Sequence, residues 1–352
     1  MKNVARKTEP IELRRRQRKI IGVTLFILMN AAVIATTAYV DFGGDHGNRP
    51  HLADINALYL LGAFGCFVVT LCTETLKYYL MLNHLKSPKP MSIAFKVAAL
   101  GKYYDNITPF GSGGQPFQFL FLKKQKVPTG TSSALPIAGF ISMQAGFILI
   151  AIIVFIFGKR LIDNAAVSIA AAIGFVFYIF MPLTLAAFAI FPRFMCRAIE
   201  FFARIGHKLR LVKDPKAVGD RALGMLIAFR EGLSSILHHR ILTLQISVLS
   251  IIYNVAMCSI PYFVLKMFGS DLSYASVFCT TIFIYLCVTF VPTPGNSGVA
   301  EGSFFTLFSV IGVDHMFWAM LLWRFFCYYS YIITGLIVLW HNAAENRRHP
   351  PE

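Results

Sequence analysis

The chain has 352 residues, 56% of them hydrophobic and only 14% charged, with a mean hydropathy of +0.62. Soluble domains carry about 25% charged residues, so the composition excludes a soluble globular protein and points to an integral membrane protein. Lys and Arg total 33 against 17 Asp and Glu, a net charge of +16. The basic residues sit at the ends of apolar runs without any recognition motif. They therefore set orientation by the positive-inside rule and favour anionic headgroups, and nucleic acid is not an expected partner.

Residues 1–19 form a basic arm holding Arg14, Arg15, Arg16, Arg18 and Lys19, which places the N-terminus in the cytoplasm. A first span is predicted near 20–40, followed by a short polar loop with Asp41, Asp45, Arg49 and Asp54. A second span, about 55–82, returns to Lys86 and Lys89. A helix over 92–105, a break, and an apolar run ending at Lys123, Lys124 and Lys126 then read as a hairpin that enters from the cytoplasm and turns back. Further spans fit 132–157 and about 165–190. Residues 193–240 scatter Arg and Lys among Phe and Leu, the pattern of amphipathic helices on the inner leaflet. A span at about 241–267, two apolar stretches at 274–291 and 298–311 flanking a second break, and a last span at about 315–340 complete the membrane region, 20–342. A cytoplasmic tail, 343–352, carries Arg347 and Arg348. The stretch 274–291 is long enough to cross alone, and 298–311 would then have to cross back.

The two breaks share a pattern, Thr-Pro-x-x-Ser-Gly, at Thr108-Pro109-x-x-Ser112-Gly113 and at Thr293-Pro294-x-x-Ser297-Gly298. Proline donates no backbone hydrogen bond and glycine tolerates angles that end a helix, so each copy unwinds one. Unwound backbone survives in a bilayer only when buried in protein or lining a wet cavity, and matching breaks in two halves point to a transporter's binding site. The segments 55–157 and 241–340 repeat as span, hairpin, span, with the second set inverted. The fold class expected is an all-α polytopic membrane protein with about six full transmembrane helices and two re-entrant broken-helix hairpins in an inverted repeat.

Around the first break stand Lys102, Asp105, Asn106, Pro109, Gly111, Ser112, Gly113, Gly114 and Gln115. Gly111, Gly113 and Gly114, with Gly298 at the second break, are expected to offer backbone N–H groups to a phosphate, since a helix N-terminus with free amides binds anions. The second break supplies Pro294, Gly295 and Asn296 as well, and Glu301 follows one turn into the next helix. Arg324 falls in the middle of the last span, where an ionisable group is costly; Glu301 is its expected partner. Glu74 and Lys77 share a face of the second span at i, i+3, for a local pair or for snorkelling by the lysine. No HExxH, GxSxG or Walker pattern occurs, so neither a catalytic residue nor a metal or cofactor is expected. The seven cysteines lie mostly in apolar runs without CxxC spacing and read as packing residues.

These two glycine- and proline-rich breaks resemble the lysylphosphatidylglycerol synthase transmembrane-region family, the flippase portion of MprF and its stand-alone relatives. The resemblance covers about 15–342, with only the breaks specific. It implies a multi-pass protein of the bacterial plasma membrane, both termini cytoplasmic. Its activity would be to move lysyl-phosphatidylglycerol, or a related anionic or aminoacylated lipid, between leaflets. Display of that lipid outside confers resistance to cationic antimicrobial peptides. Expected partners are membrane phospholipids, a second copy of the chain, and a separately encoded lipid-modifying enzyme. The family's full-length members add a soluble domain that transfers lysine from lysyl-tRNA to phosphatidylglycerol. This chain stops at Glu352, shortly past its last span, so that lysyltransferase activity is the alternative rather than the expectation. A non-transporting partner of a separate synthase is a further alternative. Gln115 stands where relatives often have Glu, which argues against a charge-dependent role there.

Overall fold

A computed structural model describes residues 56–109, 111, 113–157, 165–190, 229–289, 291, 293–309 and 315–348, with isolated positions elsewhere. The predicted basic arm, the first span at 20–40, Ser112 and most of 193–228 lie outside the described residues. Among those described, every regular element is helical. In chain order they are α1 (Ala57–His84), α2 (Met91–Ile107), α3 (Gly114–Lys124), α4 (Thr129–Phe157), α5 (Ala165–Ile190), α6 (Arg240–Met267), α7 (Tyr274–Val288) and α8 (Val299–Ser309). The last span is composite: α9 (Met316–Arg324), a π-helical segment (Phe325–Tyr329) and α10 (Ser330–Arg348).

Length separates these helices into two kinds. Four stretches of 28 to 30 residues, α1, α4, α6 and Met316–Glu345, are apolar and long enough to cross a membrane. At 1.5 Å per residue such helices reach about 42 Å, more than the roughly 30 Å hydrocarbon core. By contrast α3 and α8 have 11 residues each and α7 has 15, about 17 to 23 Å, too short to cross alone. Local chemistry sets several starts. Asn56, His239 and Ser273 each cap a helix N-terminus by accepting a backbone N–H, from Leu58, Leu242 and Ser276 respectively.

Contacts at the helix ends fix their directions. Asn56 N–H donates to the carbonyl of Met267, while the His84 and His239 rings lie 4.5 Å apart, so α1 and α6 run antiparallel along their whole length. Ser142 meets Ser250, and the Asn254 amide donates to the Met143 carbonyl, which sets α4 parallel to α6. The α7–α8 pair starts just after α6 ends. It finishes just before His315, whose ring lies 6.2 Å from Phe268 at that same end. The α2–α3 pair starts and finishes at the opposite end, between the C-terminus of α1 and the N-terminus of α4. Two helical hairpins thus enter the bundle from opposite ends. Within the described residues α7 and α8 pack side by side as the two arms of a helical hairpin.

Two large apolar clusters sit at the two ends of the bundle, one around Phe304, Phe308 and Trp323, the other around Tyr78, Leu122 and Leu135. Leu58, Leu61, Ile156, Phe157, Val176 and Trp340 face outward, as a lipid-facing surface requires. Of the segment predicted as amphipathic, residues 229–238 are described as helical. They bury Phe229, Leu233 and Ile236 at i, i+4, i+7 against the second cluster and expose Arg230, Glu231 and His238. Helix α10 runs on past residue 343, where the tail was expected to begin. It continues to Arg348 because Glu345 accepts from Lys96 at 2.9 Å and ties its last turns to α2.

Candidate functional site at the meeting of two unwound turns

Both repeated motifs end their helices where expected, and their tips touch. Pro109 and Pro294, equivalent residues of the two copies, pair backbone to backbone in an isolated antiparallel bridge. Each turn relies on left-handed backbone: Gly111 at φ +59°, and Gly295, Asn296 and Gly298 at φ +59°, +54° and +93°. At Gly295 a β-carbon would also collide with the Tyr328 ring.

The four glycine amides expected to meet a phosphate each have an acceptor within the chain. Thr108 Oγ1 accepts from Gly113 N–H at 2.8 Å and donates to the Tyr104 carbonyl at 2.7 Å. Asp105 Oδ1 accepts from Gly114 N–H at 2.8 Å, and Gly111 N–H donates to the Thr108 carbonyl at 3.3 Å. At the second turn Gly298 N–H donates to Glu301 Oε2 at 2.7 Å, the reach-back of a capping box. A buried N–H left without a partner costs more than a ligand present only part of the time can return, so the chain supplies its own acceptors.

Arg324 is committed in the same way. Its Nε lies 2.7 Å from Glu301 Oε1, and Nη1 and Nη2 donate to the carbonyls of Gly295 and Asn296 at 3.2 and 3.5 Å. The guanidinium also lies over the Trp323 and Tyr328 rings, at 5.1 and 5.4 Å. One arginine therefore ties the last span, the second turn and α8 together. The π-helical segment begins at the next residue, and such bulges occur mostly at functional positions.

Nearer the first turn, Lys77 Nζ lies 2.7 Å from Glu74 Oε2 and donates to the Gly139 carbonyl at 3.3 Å. Lys77 is fully buried at 0% exposure, so its ammonium does not snorkel to the surface. Lys102 rests over the Tyr253 ring at 4.5 Å and donates to Met143 Sδ at 3.4 Å, without an ion pair to Asp105. Among the described residues, Lys77, Lys102 and Arg324 thus share the interior of the bundle with Glu74, Asp105 and Glu301.

Between the tips lies a cavity of about 280 Å³, close to the lower end of the roughly 300–1,000 Å³ of small-molecule sites. Of the predicted residues, Asp105, Asn106, Gly111, Gly295, Asn296 and Arg324 line it. Glu74, Lys102, Asp105 and Gln115 line a much smaller cleft that shares Asp105, Phe140 and Met143 with it. Lys77, Pro109, Gly113, Gly114, Pro294, Gly298 and Glu301 hold the walls without lining either space. The sequence reading missed Gln144, Tyr253, Asn254, Tyr285 and Tyr328, which line the large cavity. A signal existed for Gln144 and Asn254: each is a carboxamide in mid-span, where a polar side chain is expensive.

Among the described residues no group of three or more His, Cys, Asp or Glu is placed to hold a metal ion.

Two comparisons bear on this arrangement. A family model described as the lysylphosphatidylglycerol synthase TM region matches residues 19–335. The chain is also similar to a protein of Archaeoglobus fulgidus described as a UPF0104 membrane protein. The two are 27% identical over 302 residues, which covers 83% of this chain and 89% of the relative.

Proposed function

The chain belongs to the lysylphosphatidylglycerol synthase transmembrane-region family, and from that membership and the cavity between the two tips we propose that it moves a phospholipid between leaflets. The cargo in this reading is lysyl-phosphatidylglycerol or a related anionic or aminoacylated lipid, its headgroup in the cavity and its tails in the surrounding bilayer. The single observation that carries the reading is the Pro109–Pro294 bridge, where two short hairpins from opposite ends meet on a polar space. Such hairpins are re-entrant in a membrane, since neither arm of the α7–α8 pair reaches across. A polar site reached by hairpins from both sides is the layout that alternating access needs.

Orientation follows from charge. Lys86, Lys89, Lys123, Lys124, Lys126 and Arg240 cluster at the end where α1 finishes and α6 begins. The opposite end shows Lys266 beside Asp271. In this reading the basic end faces the cytoplasm, α10 finishes there, and the membrane is the plasma membrane. A second copy of the chain and a separately encoded lipid-modifying enzyme are the protein partners this reading proposes.

The test is movement of fluorescent phosphatidylglycerol across vesicles carrying the purified chain, read by access of a membrane-impermeant quencher. The expected result is protein-dependent movement that falls at least tenfold in Arg324→Ala. Vesicles with the folded protein that move lipid no faster than empty ones would overturn the proposal.

A further inference from the structure

Two couples of opposite charge inside the bundle are closed: Lys77 meets Glu74 and Arg324 meets Glu301, each at 2.7 Å. A third couple, Lys102 and Asp105, stands three residues apart on α2 and is open. Lys102 Nζ contacts Met143 Sδ and the face of Tyr253, while Asp105 gives Oδ1 to Gly114 N–H and keeps Oδ2 uncommitted. Among the described residues, Asp105 is also the one ionisable side chain that lines both the large cavity and the adjoining cleft. In a membrane protein an ionisable group at such a place marks an ion or proton pathway by default.

The groups that face Asp105 leave it the carboxylate free to change charge. From α1 come Glu74, held by Lys77, and Tyr78, whose hydroxyl donates to Gln118. The lining residues of α3 and α4 are not ionisable. Across the cavity stand Tyr178 on α5, Tyr253 and Cys258 on α6, Tyr285 on α7, and Arg324, Cys327 and Tyr328 on the last span. Phenols and thiols are uncharged side chains near neutral pH, and Arg324 is tied to Glu301. The unpaired charge that Asp105 meets is therefore that of Lys102.

Cargo changes that balance. Lys102, and the two N–H groups of Arg324 left after its contacts with Glu301, Gly295 and Asn296, are donors that an anion can use. The same anion stands against an ionised Asp105, and like charges in one partly buried space cannot both be kept cheaply. A proton on Oδ2 removes the conflict. A headgroup that carries an ammonium, as an aminoacylated lipid does, brings its own counter-charge to Asp105 and needs no proton.

We propose that Asp105 is a proton-binding site coupled to cargo: it takes up one proton with each anionic headgroup and stays ionised against a headgroup bearing an ammonium. Movement of an anionic lipid then carries a proton with it. This rests on the cavity being the headgroup site.

The test is proton uptake on binding, measured apart from transport. The full chain in weakly buffered detergent is titrated with phosphatidylglycerol or phosphatidylethanolamine of identical acyl chains, and a pH dye counts protons. The expected result is about one proton per phosphatidylglycerol bound and none with phosphatidylethanolamine. By linkage, phosphatidylglycerol affinity then falls by up to about tenfold per pH unit as pH rises, while phosphatidylethanolamine affinity stays level. Asp105→Asn keeps an oxygen for Gly114 N–H but exchanges no proton, so its phosphatidylglycerol binding should be free of uptake and insensitive to pH. The comparison of two lipids on the unaltered chain stands even where that variant fails to fold. Phosphatidylglycerol binding without uptake, or uptake that persists in folded Asp105→Asn, would overturn the proposal. Proton uptake on binding without lipid movement would sink the translocase reading alone; lipid movement indifferent to a pH difference across the vesicle would sink this inference alone.

Discussion

Removing the charge of Arg324 tests how the second turn is held. In Arg324→Met, Glu301 keeps Gly298 N–H on Oε2 but loses its ion-pair partner on Oε1, at 4% exposure. The carbonyls of Gly295 and Asn296 lose their donors as well. Breaking a buried pair from one side costs about 3–5 kcal/mol, mostly for the charge left behind, against a typical whole stability of about 5–15 kcal/mol. Glu301→Gln leaves Arg324 unneutralised while an amide oxygen still accepts from Gly298, so it isolates the charge from the cap. Removing both charges leaves no stranded ion, and the double variant should recover about 2–3 kcal/mol relative to the sum of the singles. The assay is unfolding in mixed micelles for the four proteins of the cycle. Hydrogen exchange across residues 293–302 reports where the opening occurs. Strict additivity, or single variants within about 0.5 kcal/mol of the parent as surface sites are, would refute the claim that this pair holds the turn.

Three further outcomes are expected. With the native cysteines replaced, Pro109→Cys with Pro294→Cys should cross-link under mild oxidant, because opposed residues of an antiparallel pair lie about 4.5–5.5 Å apart, within disulfide reach. Transport should stop and return on reduction, and failure to cross-link would contradict the contact of the tips. Gly295→Ala should destabilise by about 1–3 kcal/mol, from left-handed backbone and the Tyr328 ring. Gly302→Ala, in α8 with open space beside it, should instead stabilise by about 0.4–1 kcal/mol, and thermal midpoints of the two decide. Lys77→Met should cost about 3–5 kcal/mol, most of it recovered by adding Glu74→Met, whereas a lysine reaching headgroups would lose almost nothing in the same unfolding assay.

Much of the fold was legible because a bilayer leaves few choices. An apolar run of 28 residues must be a helix that satisfies its own backbone, and the ends of α1, α4 and α6 fall within three residues of the hydropathy boundaries 55–82, 132–157 and 241–267. The hairpin nature of 274–311 was only half legible. Residues 274–291 are apolar enough to cross, and it is the left-handed run Gly295-Asn296, with Arg324 holding its carbonyls, that turns the chain back. Nothing in hydropathy signals the π segment after Arg324, because one extra residue in a turn changes no composition.

The site divides along a similar line. Charged residues inside apolar spans announce themselves by their expense, and Glu74, Lys77, Glu301 and Arg324 do pair as their spacing suggested. Their role was the illegible part. A repeated motif specifies where the chain bends in each half, but it does not specify which half supplies each acceptor. In the first half Asp105 reaches forward from the helix before the turn; in the second Glu301 reaches back from the helix after it. Both carboxylates silence the glycine amides that the motif alone would offer to an anion. The polar groups that line the cavity come from α2, α4, α6, the second turn and the last span, brought to one place by packing between helices far apart in sequence, and no local motif announces that assembly.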